Sequence, residues 1–461
     1  MMKRIIIIGG GISGLTAAYQ LKKRGHTVLL LERSGQIGGA MQTVSEDGFL
    51  AERGPNSFRG TEEILDLIDD LAIKDELLIA DARAPAYIYY NGQLHPAPMG
   101  PGAFIRSRLL TVRGKLRVFL EPFIKAAPAN QEESVASFIR RRLGREIHDV
   151  MVAPLISGIY AGNTEELSIQ AVFPRLAQLE AEYGSLVKGA IKSAKRAKAE
   201  RAGKPKRRAQ RLCSFKSGMR SLPETLAERI GRENIITECE NISITRSQTE
   251  DHSRFTVKFQ HRGQKEEINT ISLIIATPAF AAAKLVRPLD DRIADALEAI
   301  PYPPLAVVCL IYKQSQFERA ISGFGFLAPR NQGVRILGSA WSSSLFPGRA
   351  PEGYALLTNF IGGAMDTSVL QMNDRELVEV VQGDLSRVLG IRGEPRVFVI
   401  TRWERAIPQY TFGHVERVQQ IEEGSSRVPG LFFVGNYLRG VSVGDCVRQA
   451  NQVVERVAGD R

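Results

Sequence analysis

The chain begins with a strand, a glycine-rich loop, a helix and a second strand in direct succession. Residues 5–8 are four consecutive isoleucines, an apolar run suited to a parallel strand that is buried on both faces. The loop 9–14 has the pattern Gly-x-Gly-x-x-Gly, and helical spacing of apolar residues follows it. A second strand, residues 27–31, ends at Glu32. This order of elements predicts a dinucleotide-binding βαβ unit at the start of the chain.

Each residue type in this unit has a chemical reason. Gly9 permits a tight turn, Gly11 lets the backbone approach a pyrophosphate, and Gly14 allows the helix to pack closely against the strand. The helix N-terminus offers unpaired N–H groups and a positive dipole end to the phosphate. The Glu32 carboxylate can accept hydrogen bonds from both ribose hydroxyls.

A second glycine pair, Gly38-Gly39, follows Glu32 after five intervening residues. Such a pair lets another backbone segment touch the diphosphate, because glycine has no Cβ in the way. The spacing resembles the Glu-x5-Gly-Gly pattern of the amine-oxidase-like flavoprotein superfamily, in which the pair helps to hold FAD. The resemblance favours FAD over NAD as the cofactor.

Two more segments have the composition of buried strands, residues 272–278 (SLIIATP) and 430–436 (GLFFVGN), and an amphipathic helix is predicted over 446–457. Ligands of open α/β sheets lie beyond the carboxyl ends of the strands. A helix that begins near Val443-Gly444 would therefore point its positive end at the N1/O2 edge of a flavin. The nucleotide domain is predicted to be assembled from both ends of the chain and a middle piece.

Between these pieces the pattern changes to that of a second sheet. Its predicted elements are strands at 305–313, 323–328, 335–341 and 354–361, a helix at 374–389 and a strand at 396–403. The predicted fold class is α/β, with a discontinuous Rossmann-like FAD-binding domain, a mixed-sheet substrate domain and a helical, membrane-facing subdomain. The predicted boundaries are 1–84, 212–280 and 415–461 for the FAD-binding domain, 85–211 for the helical subdomain and 281–414 for the substrate domain.

Four stretches carry a narrower resemblance: AERGPNSF (51–58), SGIYAGNTEELSIQAVFPRL (157–176), RWERAIPQYTFGH (402–414) and GVSVGDC (440–446). Together they resemble the oxygen-dependent protoporphyrinogen oxidase family, which includes the coproporphyrinogen III oxidases, and the resemblance covers nearly the whole chain. It implies a six-electron oxidation of a porphyrinogen in three two-electron steps, with O2 reoxidising the FAD and three H2O2 released. An FAD-dependent amine oxidase is the alternative enzyme class, but the aromatic cage and lysine typical of amine oxidases cannot be placed here.

The resemblance implies that non-covalently bound FAD carries the chemistry, with no side chain or metal ion as catalyst. The residues that it implies for the cofactor site are Gly9, Gly10, Gly11, Ile12, Ser13, Gly14, Glu32, Arg33, Gly38, Gly39, Ala40, Gly54, Pro55, Asn56, Ile242, Trp403, Gly435, Asn436, Val441 and Val443. For Trp403, stacking near the flavin and packing in the core are equally open. The residues that it implies for the porphyrinogen site are Gly158, Phe324, Leu327 and Phe360.

The sequence departs from the family pattern at position 86. Several family members have an arginine there that pairs with a substrate propionate, whereas this chain has Ala86, with Arg83 nearby. The anchoring of the substrate carboxylates, and with it the choice between protoporphyrinogen and coproporphyrinogen, therefore stays open. At the ribityl position Asn436 replaces a common acid, and asparagine can still donate or accept a hydrogen bond.

Four other polar or reactive residues have structural as well as functional interpretations. His414 ends a specific motif, but a lone histidine is more often structural. Cys446 lies at helical spacing from Val443 and Val447, which favours a buried thiol over a covalent flavin link. Tyr160 and Asn163 fit substrate contacts and turn positions equally well. The four cysteines are widely spaced, which indicates free thiols in a reducing compartment, and we expect a cytoplasmic protein.

The net charge of +11 is concentrated in one segment, because residues 188–211 contain eleven Lys or Arg and one Glu, a net charge of +10. No aromatic residues alternate with these charges, as base stacking would require, so we expect no nucleic-acid partner. The apolar stretch 104–125 could place the segment on an anionic membrane, and a solvated loop is the alternative. The helix that leads into it is expected to run unbroken from Leu176 to Ala194. The oligomeric state, a homodimer included, stays open.

Overall fold

The computed structural model describes residues 4–128, 131–200, 210–246 and 254–459. Its strands, in chain order, are β1 Ile5–Ile8, β2 Val28–Leu31, β3 Thr43–Glu46, β4 Phe49–Glu52, β5 Phe58–Arg59, β6 Leu77–Ile79, β7 Ala86–Tyr90, β8 Gln93–Pro96, β9 Leu212–Phe215, β10 Ile235–Ile236, β11 Cys239–Arg246, β12 Phe255–His261, β13 Gln264–Thr270, β14 Leu273–Ile275, β15 Leu305–Lys313, β16 Gly325–Leu327, β17 Gly338–Ala340, β18 Tyr354–Gly362, β19 Arg396–Trp403 and β20 Leu431–Phe433.

Its α-helices are α1 Ile12–Lys23, α2 Glu62–Asp70, α3 Pro101–Arg106, α4 Val112–Phe119, α5 Val135–Arg142, α6 Arg145–Ile147, α7 Ala153–Tyr160, α8 Ile169–Val172, α9 Pro174–Tyr183, α10 Leu186–Glu200, α11 Ser221–Ile230, α12 Ala279–Val286, α13 Asp291–Glu298, α14 Ser342–Leu345, α15 Asp374–Leu389, α16 His414–Arg427 and α17 Val443–Gly459. A π-helical turn, His148–Val152, precedes α7.

The nucleotide-type sheet is parallel and has the strand order β10-β2-β1-β14-β20. Its strands come from both ends of the chain and from the middle, as the apolar runs predicted. Alternate residues of β1 face opposite layers, so Ile5 and Ile7 pack with α1, α11 and α17, and Ile6 and Ile8 pack with β12, α12, α13 and α16. Both faces are buried, which explains why the strand is a continuous apolar run.

The second sheet has the order β19-β15-β18-β17-β16-β7-β8 and is antiparallel except between β16 and β7. Helix α15 covers one face, where Val308 and Leu310 pack against Leu377 and Leu385. The other face carries Val307, Cys309 and Ile311, and it packs against β4. The second sheet thus lies directly beside the segment that leads to the predicted flavin residues 54–56.

The structure corrects the predicted start of the helical part. Residues 86–96, which the prediction placed there, form the hairpin β7–β8 at the edge of the second sheet. Asn91 and Gly92 make its turn with φ of 50° and 76°. An Asn-Gly pair between apolar strands is a strong hairpin signal, because both turn residues must take positive φ. The prediction overlooked it.

The helical part, residues 101–200, also differs from the prediction. The expected unbroken helix is two helices, α9 and α10, because Gly184 ends α9 in the left-handed region at φ +67°. The side chain of Glu121 then caps α10, accepting hydrogen bonds from Leu186 N at 2.8 Å and Val187 N at 3.2 Å. Residues 201–209 of the basic segment lie outside the described residues. Within the described part of the chain, no helix is long and apolar enough to cross a bilayer.

Candidate active site

The glycine loop after β1 has the geometry that a phosphate requires. Gly9 has φ +114°, and a Cβ on it would lie 2.8 Å from the carbonyl group of Ala276. A Cβ on Gly14 would lie 2.0 Å from Gly9 O, so the start of α1 can rest on the loop only with glycine at this position. Around Gly11, by contrast, no heavy atom of the described residues lies within 4 Å of a Cβ position. Open space therefore lies at the N-terminus of α1, where Ile12 and Ser13 begin the helix.

The second glycine pair lies directly against this loop. Gly38 forms a parallel bridge with Gly11 and donates a backbone hydrogen bond to Gly10 O at 2.7 Å. A Cβ on Gly39 would lie 3.3 Å from the Gly11 Cα, and a Cβ on Gly54 would lie 2.1 Å from Ala40 O. Three separate stretches, those of Gly11, Gly38-Gly39 and Gly54, thus meet at one place. Each has glycine at the contact, so its backbone can approach a diphosphate closely.

Glu32 lies at the carboxyl end of β2, as predicted. Its Oε2 accepts a hydrogen bond from Gly10 N at 2.6 Å, and its Oε1 accepts hydrogen bonds from Ser34 N at 2.8 Å and Ser34 Oγ at 3.0 Å. Arg33 lines an adjoining cavity of about 450 Å³ together with Gly35, Glu238, Glu240, Gln260, Arg262 and Gly263. None of these six residues was predicted, and a single sequence gives no sign that the five from residues 238–263 meet Arg33.

Ile242 lies in β11, which pairs with the hairpin β12–β13. The pairing register of β11 with β12 shifts between Glu240 and Ser243, and Asn241 has φ +50°. Such a bulge releases backbone groups from the strand ladder. The side chain of Ile242 packs partly buried against the core below, which leaves its backbone as the part suited to contact an adenine.

The carboxyl-terminal segment closes the other end of the site. Gly435 follows β20, Asn436 and Val441 lie in the loop beyond it, and α17 begins at Val443. Thr61 faces the first turn of α17, since a Cβ on Gly444 would lie 3.0 Å from the Thr61 Oγ1. That hydroxyl is buried and, among the described residues, has no hydrogen-bond partner. Thr61 was not predicted. No sequence signal marked it; in the structure, this N-cap residue of α2 does not use its side chain to cap that helix.

Segment 53–56 passes between the two sheets. The Asn56 Oδ1 accepts a hydrogen bond from Ser342 Oγ at 3.1 Å, but the Asn56 Nδ2 is buried without a partner in the described part of the chain. Trp403, at the end of β19, donates from Nε1 to Arg53 O at 2.8 Å. It also packs partly buried in the core between β4 and the second sheet, so its indole anchors the segment that contains Pro55.

These features fit FAD. The open space at Gly11 and the N-terminus of α1 suit a diphosphate, Glu32 suits a ribose, and the unpartnered Asn56 amide and Thr61 hydroxyl suit the polar groups of an isoalloxazine ring. The predicted residues of the two glycine loops, with Ala40, Gly54 and Glu32, meet at the N-terminus of α1, whereas Arg33 lines the adjoining cavity and Ile242 lies in β11. The roles of the predicted cofactor residues stay predictions.

Three of the four predicted substrate residues lie in α7 or pack against it or its end: Gly158, Leu327 and Phe360. A Cβ on Gly158 would lie 2.5 Å from the Leu327 Cδ2, so α7 and β16 touch at that point. Phe360 packs beside Ala161 at the end of the same helix. Phe324 instead packs in a separate small cluster that includes Leu345 and Phe346. Gly158, Leu327 and Phe360 therefore lie in one apolar region between the second sheet and α7, which is the predicted substrate slot.

The position of the missing arginine is also clear. Ala86 pairs with Gly325 of β16, directly beside Phe324. The Arg83 side chain is 91% exposed and forms an ion pair with Asp81 at 3.0 Å, so it points into solvent. The four predicted substrate residues carry no positive charge that could replace the arginine, and carboxylate anchoring must come from other residues.

The remaining candidates have structural surroundings. Burial lowers the pKa of His414 to about 4, and the imidazole stacks on Tyr410 with ring centroids 4.0 Å apart. Burial raises the pKa of the Cys446 thiol to about 11, which disfavours a reactive thiolate. Asn163 makes turn contacts, accepting from Glu165 N at 3.1 Å. Tyr160 is buried edge-on against Tyr410 at 5.7 Å, and burial raises its pKa.

The fold and this site define an FAD-dependent oxidoreductase, and comparison with known proteins agrees. The sequence matches the family described as flavin containing amine oxidoreductase over residues 12–458, and the chain belongs to this family. Its cofactor is FAD.

The most similar relatives lie in one branch of this family. The chain is 35% identical over 470 residues to a chloroplastic protoporphyrinogen oxidase from Nicotiana tabacum, covering 98% of this chain and 85% of that protein. It is 30% identical over 472 residues to a coproporphyrinogen III oxidase from Bacillus subtilis (strain 168), covering 98% and 97%. A crystal structure from Exiguobacterium sp. 255-15, provisionally named a protoporphyrinogen oxidase, superposes with a TM-score of 0.82 at 27% identity, covering 100% of each chain.

Proposed function

We propose that this protein oxidises protoporphyrinogen IX to protoporphyrin IX in haem biosynthesis, by hydride transfer to FAD with O2 as the acceptor and three H2O2 as by-product. The observation that carries the proposal is the 35% identity to the tobacco protoporphyrinogen oxidase over 98% of this chain. A likeness of that length includes the glycine loops and the segments around Gly158 and Leu327. It is therefore not confined to the FAD-binding elements that all the flavoproteins of this family share.

The residues around the site suit this chemistry. When bound, FAD supplies the hydride acceptor, and the protein has to bind the macrocycle, orient it and keep water away. The contact between α7 and Leu327 and the ring of Phe360 provide apolar walls for a pyrrole ring. At Gly158 the missing side chain lets α7 pack onto Leu327, and the Gly158 carbonyl is the group that we propose faces the macrocycle N–H groups. His414, with its pKa lowered to about 4, is a weak base, in keeping with a reaction that needs no strong one.

Coproporphyrinogen III is the second candidate substrate, with coproporphyrin III as the product. This chain covers 97% of the Bacillus subtilis relative that carries that name. Coproporphyrinogen has four carboxylates where protoporphyrinogen has two, and Ala86 lacks the arginine that would hold a propionate. Relative rates with the two substrates decide between the two reactions.

The test starts from purified protein, which should show the absorption of an oxidised flavin. It is mixed aerobically with fresh protoporphyrinogen IX and, separately, with coproporphyrinogen III, while porphyrin fluorescence and H2O2 are followed. Porphyrin formation no faster than autoxidation with both substrates would refute the proposal.

Two glycine variants sharpen the test. Gly158→Val should abolish turnover while FAD stays bound, because the added side chain collides with Leu327 in the substrate slot. Gly383→Val is the matched control, since a Cβ at Gly383 in α15 meets no heavy atom of the described residues within 4 Å. This control should leave both turnover and FAD content unchanged.

We also propose that the protein is cytoplasmic and rests peripherally on an anionic membrane through its helical part. Large apolar side chains are exposed along the first half of this part, among them Val112, Phe119 and Phe123, and the last is 84% exposed. The hydrogen bonds from Leu186 and Val187 to Glu121 hold the start of the basic helix α10 beside this face. Each basic residue near an anionic surface contributes about 1 kcal/mol of attraction.

Flotation with vesicles of phosphatidylglycerol or phosphatidylcholine tests the membrane proposal. The full chain should float with the anionic vesicles, and a deletion of residues 195–210 should float less. Equal flotation of the two proteins would refute a role for the basic segment. If the double variant Phe119→Ser/Phe123→Ser does not float but the deletion variant floats like the full chain, the apolar face is responsible for attachment.

A further inference from the structure

The most specific sequence motif of the chain, residues 407–414 (IPQYTFGH), contains none of the predicted cofactor or substrate residues. It connects β19 to α16 and lies between the helix that carries Gly158 and the loop that follows Gly435. Three of its side chains, Gln409, Tyr410 and His414, are only 3%, 1% and 2% exposed. Most buried polar side chains have at least one hydrogen-bond partner, so the partners of these three indicate what they do.

Towards the substrate, the motif holds the end of α7. The Gln409 Nε2 donates to Tyr160 O at 2.7 Å, two residues after Gly158. A Cβ on Gly162 would lie 2.5 Å from the Gln409 Oε1, so the amide is packed tightly against the chain that leaves α7. The Tyr410 carbonyl oxygen also accepts a hydrogen bond from Ser168 N at 2.8 Å. The backbone of the helical part is therefore fixed to the motif at two points.

Towards the flavin, the motif holds the loop after β20. The Tyr410 hydroxyl donates to Asn436 O at 2.5 Å. The His414 Nε2 lies 3.3 Å from Leu438 O, so the ring donates from Nε2 and its neutral tautomer is fixed. Tyr410 and His414 stack with an angle of 16° between their planes, which makes the two donors one rigid unit. Asn436 is one of the predicted ribityl contacts.

We propose that Gln409, Tyr410 and His414 act as a positioning unit that sets the distance between the flavin and the porphyrinogen. The unit bonds on one side to the α7 backbone beside Gly158 and on the other to the loop backbone beside Gly435. A hydride transfer requires its two reacting atoms at near contact, so a displacement of one partner by about 1 Å costs rate steeply. The inference rests on the proposed function for the identity of the substrate. The part that concerns the bonds of Tyr410 and His414 to the flavin loop, its cofactor half, does not depend on that function.

Tyr410 and His414 stay in the same protonation state across the working pH range, so both remain hydrogen-bond donors. Burial raises the pKa of Tyr410 well above its usual value, so the hydroxyl stays protonated and remains a donor. Burial keeps the His414 imidazole neutral above pH of about 4. The unit therefore differs from a general base, since neither Tyr410 nor His414 changes its protonation state in that pH range.

The first experiment removes one donor and keeps the ring. Tyr410→Phe retains the stacking but leaves Asn436 O without its hydrogen bond. Loss of one such bond should weaken FAD binding by about three- to tenfold, as measured by titration of the apoprotein with FAD. The control is Tyr312→Phe, because Tyr312 is 1% exposed and its hydroxyl has no partner in the described part of the chain. It should leave the FAD Kd unchanged.

The second experiment separates donor from ring at position 414. His414→Gln places an amide donor near the Nε2 position, and His414→Leu removes the donor while preserving bulk. We expect His414→Leu to shift the flavin reduction potential and lower kcat with KM unchanged, and His414→Gln to restore both. Gln409→Met should affect the porphyrinogen kinetics and leave the FAD Kd as in the wild type.

The outcomes discriminate clearly. The positioning unit is refuted if Tyr410→Phe and Tyr312→Phe give the same FAD Kd and flavin potential, or if the variants lower only the melting temperature of the apoprotein. If the wild type binds FAD but oxidises no porphyrinogen, the proposed function fails, while the Kd and potential measurements still decide the cofactor half of this inference.

Discussion

Replacing Gly11 by alanine should separate cofactor binding from folding. A Cβ at this position meets no heavy atom of the described residues within 4 Å, and Gly11 has φ −74° and ψ 176°, a conformation that alanine adopts without strain. The added methyl would instead occupy the space in front of α1, where the backbone must approach the FAD diphosphate. Folding of the apoprotein should proceed, and FAD binding should fail.

The expected magnitudes follow from the N-cap position of Gly11. Alanine at an N-cap costs up to about 1 kcal/mol relative to better caps, and the lower entropy of the unfolded chain offsets about 0.4–1 kcal/mol of this. The free energy of unfolding of the apoprotein should therefore change by less than about 1 kcal/mol. FAD present at a hundred times its Kd stabilises the wild type by about 2.7 kcal/mol, and a variant with a hundredfold higher Kd would lose more than about 2 kcal/mol of this.

Urea unfolding of wild type and Gly11→Ala, each with and without added FAD, measures both quantities. The apo curves should nearly coincide, and only the wild type should shift to higher urea on addition of FAD. Gly14→Ala is the contrasting variant, since its Cβ would lie 2.0 Å from Gly9 O and should destabilise both forms. A Gly11→Ala protein that binds FAD with the wild-type Kd would show that the diphosphate does not lie at this loop.

Three further outcomes follow from buried groups. Glu121→Gln should cost up to about 3 kcal/mol in the free energy of unfolding, because it removes one of the two carboxylates that face the fully buried Arg142 and leaves only Glu180, at 3.2 Å, as its ion-pair partner, whereas Glu267→Gln in an exposed pair with Lys258 should cost less than about 1 kcal/mol. The pKa of His414 is about 4 in the folded protein and about 6.5 in the unfolded chain, so between these two pH values the unfolded chain binds more protons. Stability should therefore fall by up to about 3 kcal/mol as pH drops from 6.5 to 4, and His414→Gln should remove this component of the urea midpoint's pH dependence. A thiol reagent should label none of the four buried cysteines in the native protein and all four in denaturant, and rapid labelling of native protein would contradict the burial.

The parts of the fold that local sequence determines were predictable. Four isoleucines buried on both faces, a glycine loop and a helix stop lie in neighbouring residues, so β1, α1 and β2 could be predicted directly. The start of α17 at Val443 was predicted for the same reason, because a glycine and an apolar helical pattern lie next to each other.

The parts that depend on distant partners were not predictable in this way. Thr61 and the hairpin residues near Glu238 join the site only because folding brings them to α17 and β2, and a single sequence gives no sign of those contacts. The break at Gly184 depends on Glu121, 63 residues away, which caps the following helix and makes the interruption favourable. Apolar spacing continues through the break, so periodicity alone favoured one helix.

The strand order of the parallel sheet has a consequence for how the protein is made. β1 lies between β2 and β14, and β14 needs β20 on its other edge, so the first strand to leave the ribosome waits for residues 273–275 and the sheet is complete only with residues 431–433. Until then the nascent chain exposes an apolar strand edge, which is a site for aggregation and for chaperone binding. Cofactor capture is thereby postponed until nearly the whole polypeptide has been synthesised, and a chain that stops early yields no half-active product.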